Sequence, residues 1–170
     1  MDRIAEEAEY APGTIYLYFK DKDALYSALF ARKLTQMVDL VEAAAKAGAE
    51  PLEGLHNAIR AQFEFNERNR EFFEVFSRHR VKEQPPRAEE WKTIGETIDR
   101  HHGVLRRLVE KGQRAKLIRP GDPQAFASAL VGVILHMSRE MERQGVHLNK
   151  EADFVFELFL KGAQRTPSFP

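Results

Sequence analysis

The chain has 170 residues, no cysteine, and 26 basic against 26 acidic side chains, so its formal net charge is zero. That composition excludes disulfides, thiolate metal sites and cysteine nucleophiles, and leaves no global basic field to attract nucleic acid. With 43% hydrophobic residues the chain has ample material for a packed core.

The first ten residues, MDRIAEEAEY, are acidic and hold no apolar h-region, so no signal peptide is expected. The longest apolar stretch, AFASALVGVILHM from Ala125, is too short to span a bilayer. A cytoplasmic protein without a membrane partner is the expectation.

Every strong periodicity is helical, and no segment alternates like a half-buried strand. Residues 2–8 read as a short helix with Ile4, Ala5 and Ala8 on one face. A turn at residues 11–13 leads to a second short helix over 14–19. Asp21 can cap a long third helix, with Ala24, Leu25, Ala28, Leu29, Met37, Val38 and Val41 as its apolar stripe, ending at Gly48. Pro51 suits a first helical position, and the following helix carries Leu52, Leu55, Ile59 and Phe63 up to a polar break at 66–70. A helix over 71–80 and a Pro85-Pro86 loop come next. A long helix over 88–112 follows through Trp91, Ile94, Ile98, Leu105, Leu108 and Val109. After the breaker RPGDP, helices are expected over 123–143 and 150–163, then a frayed tail. Long helices with short breaks predict an all-α protein: a truncated helix-turn-helix unit over 1–33, then a helical-bundle body over 34–170.

The last two helices are apolar on more than one side. Phe126, Leu130, Val133, Ile134 and Met137 line one, and Val155, Phe156 and Phe159 belong to the other. Such helices must be buried, either within one chain or against a second copy. A homodimer interface on these residues is the expectation.

The most informative run is APGTIYLYFKDKDALY, residues 11–26. A short helix armed with Thr, Tyr and Lys, directly after a helix and a tight turn, is how a helix-turn-helix meets DNA. The longer segment IAEEAEYAPGTIYLYFKDKDALY resembles the tetracycline-repressor (TetR) family of bacterial transcription regulators. The resemblance rests on Ile4, Ala5, Ala8, Gly13, Thr14, Ile15, Tyr16, Tyr18, Phe19, Lys20, Lys22 and Leu25 at fixed spacing. It implies a recognition helix from Pro12 with Gly13, Thr14 and Tyr16 at the groove. Tyr18, Lys20 and Lys22 would lie on the DNA backbone, where such contacts position the protein while base contacts specify sequence. Ile15 and Phe19 would point inward. The resemblance further implies a ligand-responsive repressor that binds operator DNA as a homodimer and is released by a small effector.

The segment also departs from the family pattern. The family carries a further helix ahead of the position of Ile4, Glu9 replaces the turn glycine, and Ala11 replaces the capping Ser. Each substitution costs about 1 kcal/mol. Through Lys33, five basic residues (Arg3, Lys20, Lys22, Arg32, Lys33) face six acidic ones (Asp2, Glu6, Glu7, Glu9, Asp21, Asp23). The expectation is weak DNA binding by the chain as it stands, the alternative function being an all-α ligand-binding module that has lost DNA binding.

Aromatic residues crowd the middle helices, and the resemblance places an effector cavity among them. Its expected lining is Phe63, Asn66, Phe72, Phe73, Phe76, His79, Trp91, His101 and His102, with Gln62 and Arg80 as further polar anchors, and a small hydrophobic molecule as effector. Adjacent His101 and His102 point about 100° apart on a helix and do not share an ion easily, so no metal or cofactor is expected. No paired carboxylates, nucleophile elbow or phosphate-cradling loop suggests an enzyme.

Overall fold

The computed structural model describes residues 1–72, 88–144 and 151–163. Its described helices are α1 (Asp2–Glu7), α2 (Pro12–Tyr18), α3 (Lys22–Ala47), α4 (Pro51–Arg68), α5 (Ala88–Arg114), α6 (Pro123–Gln144) and α7 (Glu151–Ala163). The expected helix over 71–80, the Pro85-Pro86 loop and the tail lie essentially outside the described residues.

Local chemistry explains each boundary. α1 ends in a Schellman motif: Tyr10 N–H donates to the Ala5 carbonyl at 2.9 Å and Glu9 N–H to that of Glu6 at 3.1 Å. Glu9 takes the left-handed conformation there, with φ 58°. α2 opens on Pro12 with Ala11 at the N-cap, and Ala11 supplies no side-chain cap bond. Asp21 does cap α3, its carboxylate accepting from Ala24 N–H at 2.8 Å. α3 then runs unbroken to Ala47, across residue 33, so the division at 33/34 falls inside a helix rather than in a linker.

The α3–α4 hairpin is closed by glycines in contact. A Cβ on Gly48 would lie 2.3 Å from the Gly54 nitrogen, and one on Gly54 would lie 2.7 Å from the Ala45 carbonyl oxygen. α4 ends inside the expected break at 66–70: Asn66 is still a buried helical residue, and the helix stops at Arg68 with Asn69 as its C-cap. Asn69 holds that end, donating to the Phe65 carbonyl at 2.8 Å and accepting from Lys33 Nζ at 2.6 Å.

α4 is the hub of the body, packing on α3, α5, α6 and α7, while α5 also covers α3 and α6. One core joins all five helices through Val38, Val41, Leu55, Ile59, Phe63, Leu105, Val109, Leu130, Ile134 and Val155. The inner face of α5 differs from the expected stripe. Ile98 is 41% exposed, whereas Thr97 and His101 are buried beside Ile94, Val104 and Leu108. Around the helix, 98 falls between the fully buried Leu105 and Val109, so the helical repeat alone does not set its exposure. Outside the seam, Arg100 of α5 grips Asp39 and, at 3.1 Å, Glu42 of α3.

Candidate DNA-reading helix and effector cavity

Of the residues expected to meet DNA, Gly13, Tyr16, Tyr18, Lys20 and Lys22 are exposed. Tyr16 is 49% exposed and Tyr18 78%, so neither is a core aromatic of the small unit. Gly13, Lys20 and Lys22 are exposed and Thr14 half-buried, and Ile15 and Phe19 turn partly inward. Pro12 opens α2. The Lys22 ammonium lies over the Tyr26 ring, 5.4 Å from its centroid, which orients it at the α3 N-terminus. The face therefore offers hydroxyls and ammonium groups, the donors that phosphate oxygens accept.

The residues expected to line the effector cavity fall into several groups. Phe63, Asn66 and His101 are buried together in the body, with Gln62 1% exposed. His101 Nε2 and Gln62 Oε1 form a hydrogen bond of 3.0 Å between α5 and α4. Asn66 Nδ2 donates to Ser138 Oγ at 2.9 Å, between α4 and α6. Burial, with the neighbouring His102 adding to it, lowers the His101 imidazole from 6.5 to about 4. At neutral pH this interior cluster is therefore uncharged. His102 points elsewhere, half-buried, with its Nδ1 3.3 Å from Gln124 Nε2. Phe72 is half-buried. Phe73, Phe76, His79 and Arg80 lie outside the described residues, as does the side chain of Trp91, whose backbone belongs to α5. Sequence reasoning missed Ser138 and Thr97, since a lone hydroxyl on a helix carries no signal of its inward position.

Two concave features stand out among the described residues. One, of about 180 Å³, lies between α4 and α7 and is lined by Arg60, Phe63, Glu64 and Ala152. The other, of about 240 Å³, lies between α6 and α7 and is almost wholly apolar, lined by Phe126, Ala129, Leu130, Val133, Val155, Leu158, Phe159 and Gly162.

The expected dimerisation residues divide across the wall of this second groove. Leu130, Ile134 and Val155 are sealed inside the chain's own core, which corrects their placement on an outer face. Phe126, Val133, Met137, Phe156 and Phe159 are partly covered by that core. The outward apolar positions are Ala129, Gly132, Leu135, Phe154 and Leu158. The sequence stripe mixed the two sets because both faces of these helices are apolar.

Comparison with known proteins agrees with this geometry. The family profile described as bacterial regulatory proteins of the tetR family matches residues 1–29. The profile described as a tetracyclin repressor-like C-terminal domain matches residues 48–163. The chain belongs to the TetR family. It is thus a ligand-responsive transcriptional regulator with a helix-turn-helix and an all-α sensing body. An uncharacterised HTH-type transcriptional regulator of Bacillus subtilis, YhgD, is 24% identical over 89% of this chain and 78% of its own length. The fatty acid metabolism regulator protein of B. subtilis is 38% identical over 63 residues, which are 37% of this chain and 32% of that protein. The structure of the regulator FadR from B. subtilis in complex with stearoyl-CoA superposes with TM-score 0.79 at 25% identity, over 96% of this chain and 88% of that one. No described helix is long and apolar enough to cross a membrane.

Proposed function

We propose that this regulator is a homodimeric repressor, rather than an enzyme, that works in the cytoplasm and is released from its operator by a long-chain acyl effector, with an acyl-CoA as the first candidate. The observation that carries this reading is the interior of the body: a deep apolar bundle with Phe63 at its centre and the uncharged groups of Gln62, Asn66 and His101 beside it. Such an interior suits a hydrophobic chain with one polar group. The stearoyl-CoA bound to the B. subtilis FadR of the same fold supports the choice of ligand.

The route from ligand to DNA runs along two helices. His101 faces the interior while Arg100, the next residue, holds Asp39 and Glu42 of α3. Those contacts and Lys46 keep the Glu42 carboxyl below its usual range, with Lys46 the larger influence. α3 begins at Lys22, immediately after the exposed face of α2. A ligand that displaces α5 therefore displaces α3, and with it the spacing of the two recognition helices in the dimer. Effector and DNA binding are then reciprocally coupled.

The test is to select a DNA site from a random pool and measure its affinity with and without stearoyl-CoA. The expected outcome is specific binding through Thr14, Tyr16, Tyr18, Lys20 and Lys22 that weakens about tenfold or more with effector. Unchanged DNA affinity and an unchanged melting temperature across a series of acyl-CoAs overturn the acyl reading. Glu9 in the turn and the uncapped Ala11 favour the alternative, an all-α ligand-binding module without DNA binding. Acyl-CoA binding without any selected DNA is the result that alternative requires.

A further inference from the structure

Every buried polar side chain among the described residues is uncharged or held neutral: Ser27, Gln62, Asn66, Thr97 and His101. Gln62, Asn66 and His101 are each nine-tenths or more buried, and with Ser138 they bring amide, imidazole and hydroxyl groups from three helices, α4, α5 and α6, into one interior. No capping role explains them, since Gln62 and Asn66 lie inside α4 and His101 inside α5. An apolar core of the same shape would avoid the cost of desolvating these groups. Their donors and acceptors can exchange partners with a ligand of matching chemistry.

We propose that the pairs Gln62–His101 and Asn66–Ser138 form the polar subsite of the effector cavity, and that this subsite selects an uncharged carbonyl, as in a thioester or ester, against a free carboxylate. The inference rests on the acyl-ligand reading above and specifies which acyl compounds act. The Gln62 and Asn66 amides and the Ser138 hydroxyl can donate to a carbonyl oxygen. Among the described residues of this cluster, a carboxylate at the same depth would meet no charged partner, and an unpaired buried charge is far costlier than an unpaired carbonyl.

The way in is the concavity between α4 and α7. At 100° per residue, Phe63 stands about 60° from Arg60 on one side and about 60° from Asn66 on the other. Phe63, fully buried, lines the concavity and stands between Arg60 and Asn66 around α4. A turn of this ring joins the two. The half-exposed Arg60 guanidinium, paired at 3.5 Å with Glu64, then stands where the anionic remainder of a thioester such as the phosphates of CoA emerges.

The experiment compares the full chain's affinity for stearoyl-CoA, for S-octadecyl-CoA, a thioether lacking the carbonyl, and for stearate. Stearoyl-CoA is expected to bind about tenfold tighter than the thioether, the equivalent of one good hydrogen bond, and stearate weakest. In Gln62→Leu and Asn66→Leu the thioester-to-thioether ratio falls toward one. Equal binding of thioester and thioether by the unaltered protein overturns the proposal, as does stearate binding as tightly as stearoyl-CoA. A ratio kept in both variants overturns the assignment to these residues. If a variant does not fold, the comparison of ligands on the unaltered protein decides. Failure of all three compounds to bind removes the acyl reading itself and the subsite with it.

Discussion

At the scale of single residues, Glu9 and Lys116 stand in the left-handed region with φ 58° and 61°. Both close helices by the same Schellman bonding, Leu117 N–H donating to the Gly112 carbonyl at 2.9 Å as Tyr10 does to Ala5. A side chain at such a position is strained, so Glu9→Gly should raise stability by about 1 kcal/mol, read as a higher melting temperature. A lower melting temperature for E9G would contradict this account. His101 makes a prediction about pH. Its folded value of about 4 lies below 6.5 in the unfolded chain, so the unfolded state binds more protons between those values. Stability is therefore full above pH 6.5 and is lost as pH falls toward 4, by about 3 kcal/mol in all if no other group compensates. His101→Gln, which keeps a hydrogen-bonding group but cannot titrate, should flatten that part of a denaturation-versus-pH curve. An identical slope in H101Q would assign the acid sensitivity elsewhere. The histidine was legible in sequence as a candidate anchor. Its depth was not, because the pattern 94, 97, 101 is polar at two of three places and does not read as a buried stripe.

At the scale of elements, α4 decides the architecture because it touches every other long helix of the body. Its entry depends on Gly54, where an added Cβ would meet the Ala45 carbonyl at 2.7 Å and a Leu108 methyl at 3.0 Å. Gly54→Ala should cost about 1–3 kcal/mol through the overpacked α3–α4 crossing, despite alanine's better helix propensity. Chemical denaturation measures it, and an unchanged midpoint would show that the hairpin yields freely. Helix types and most boundaries were readable from Pro51, Gly48, Asp21 and the RPGDP breaker, since capping chemistry is local. The break expected over 66–70 does end α4, at Asn69, but Asn66 itself shows where local reading stops. The same amide that suits a turn is here satisfied across the bundle by Ser138. His56 and Asp153, 2.6 Å apart, likewise join α4 to α7 across 97 residues of sequence.

At the scale of the whole molecule, the α6–α7 face is the surface by which two copies meet in the proposed dimer. Its groove is lined by small and apolar residues, with Leu158 51% exposed and Ala129 open beside it. Ala129→Arg should yield a monomer in sedimentation while leaving the melting transition cooperative, and should abolish specific DNA binding. A dimer that survives A129R would move the interface elsewhere. By itself the sequence determined the all-helical class and the family through residues 4–26, because each rests on short-range spacing. Only the tertiary structure decided which apolar residues of α6 and α7 are core and which are surface. It also decided that Gln62, Asn66, His101 and Ser138 converge. The reason is physical: a helix apolar on two sides has no single inward face until its neighbours are placed, and a polar residue is costly or useful according to the partner that packing brings to it.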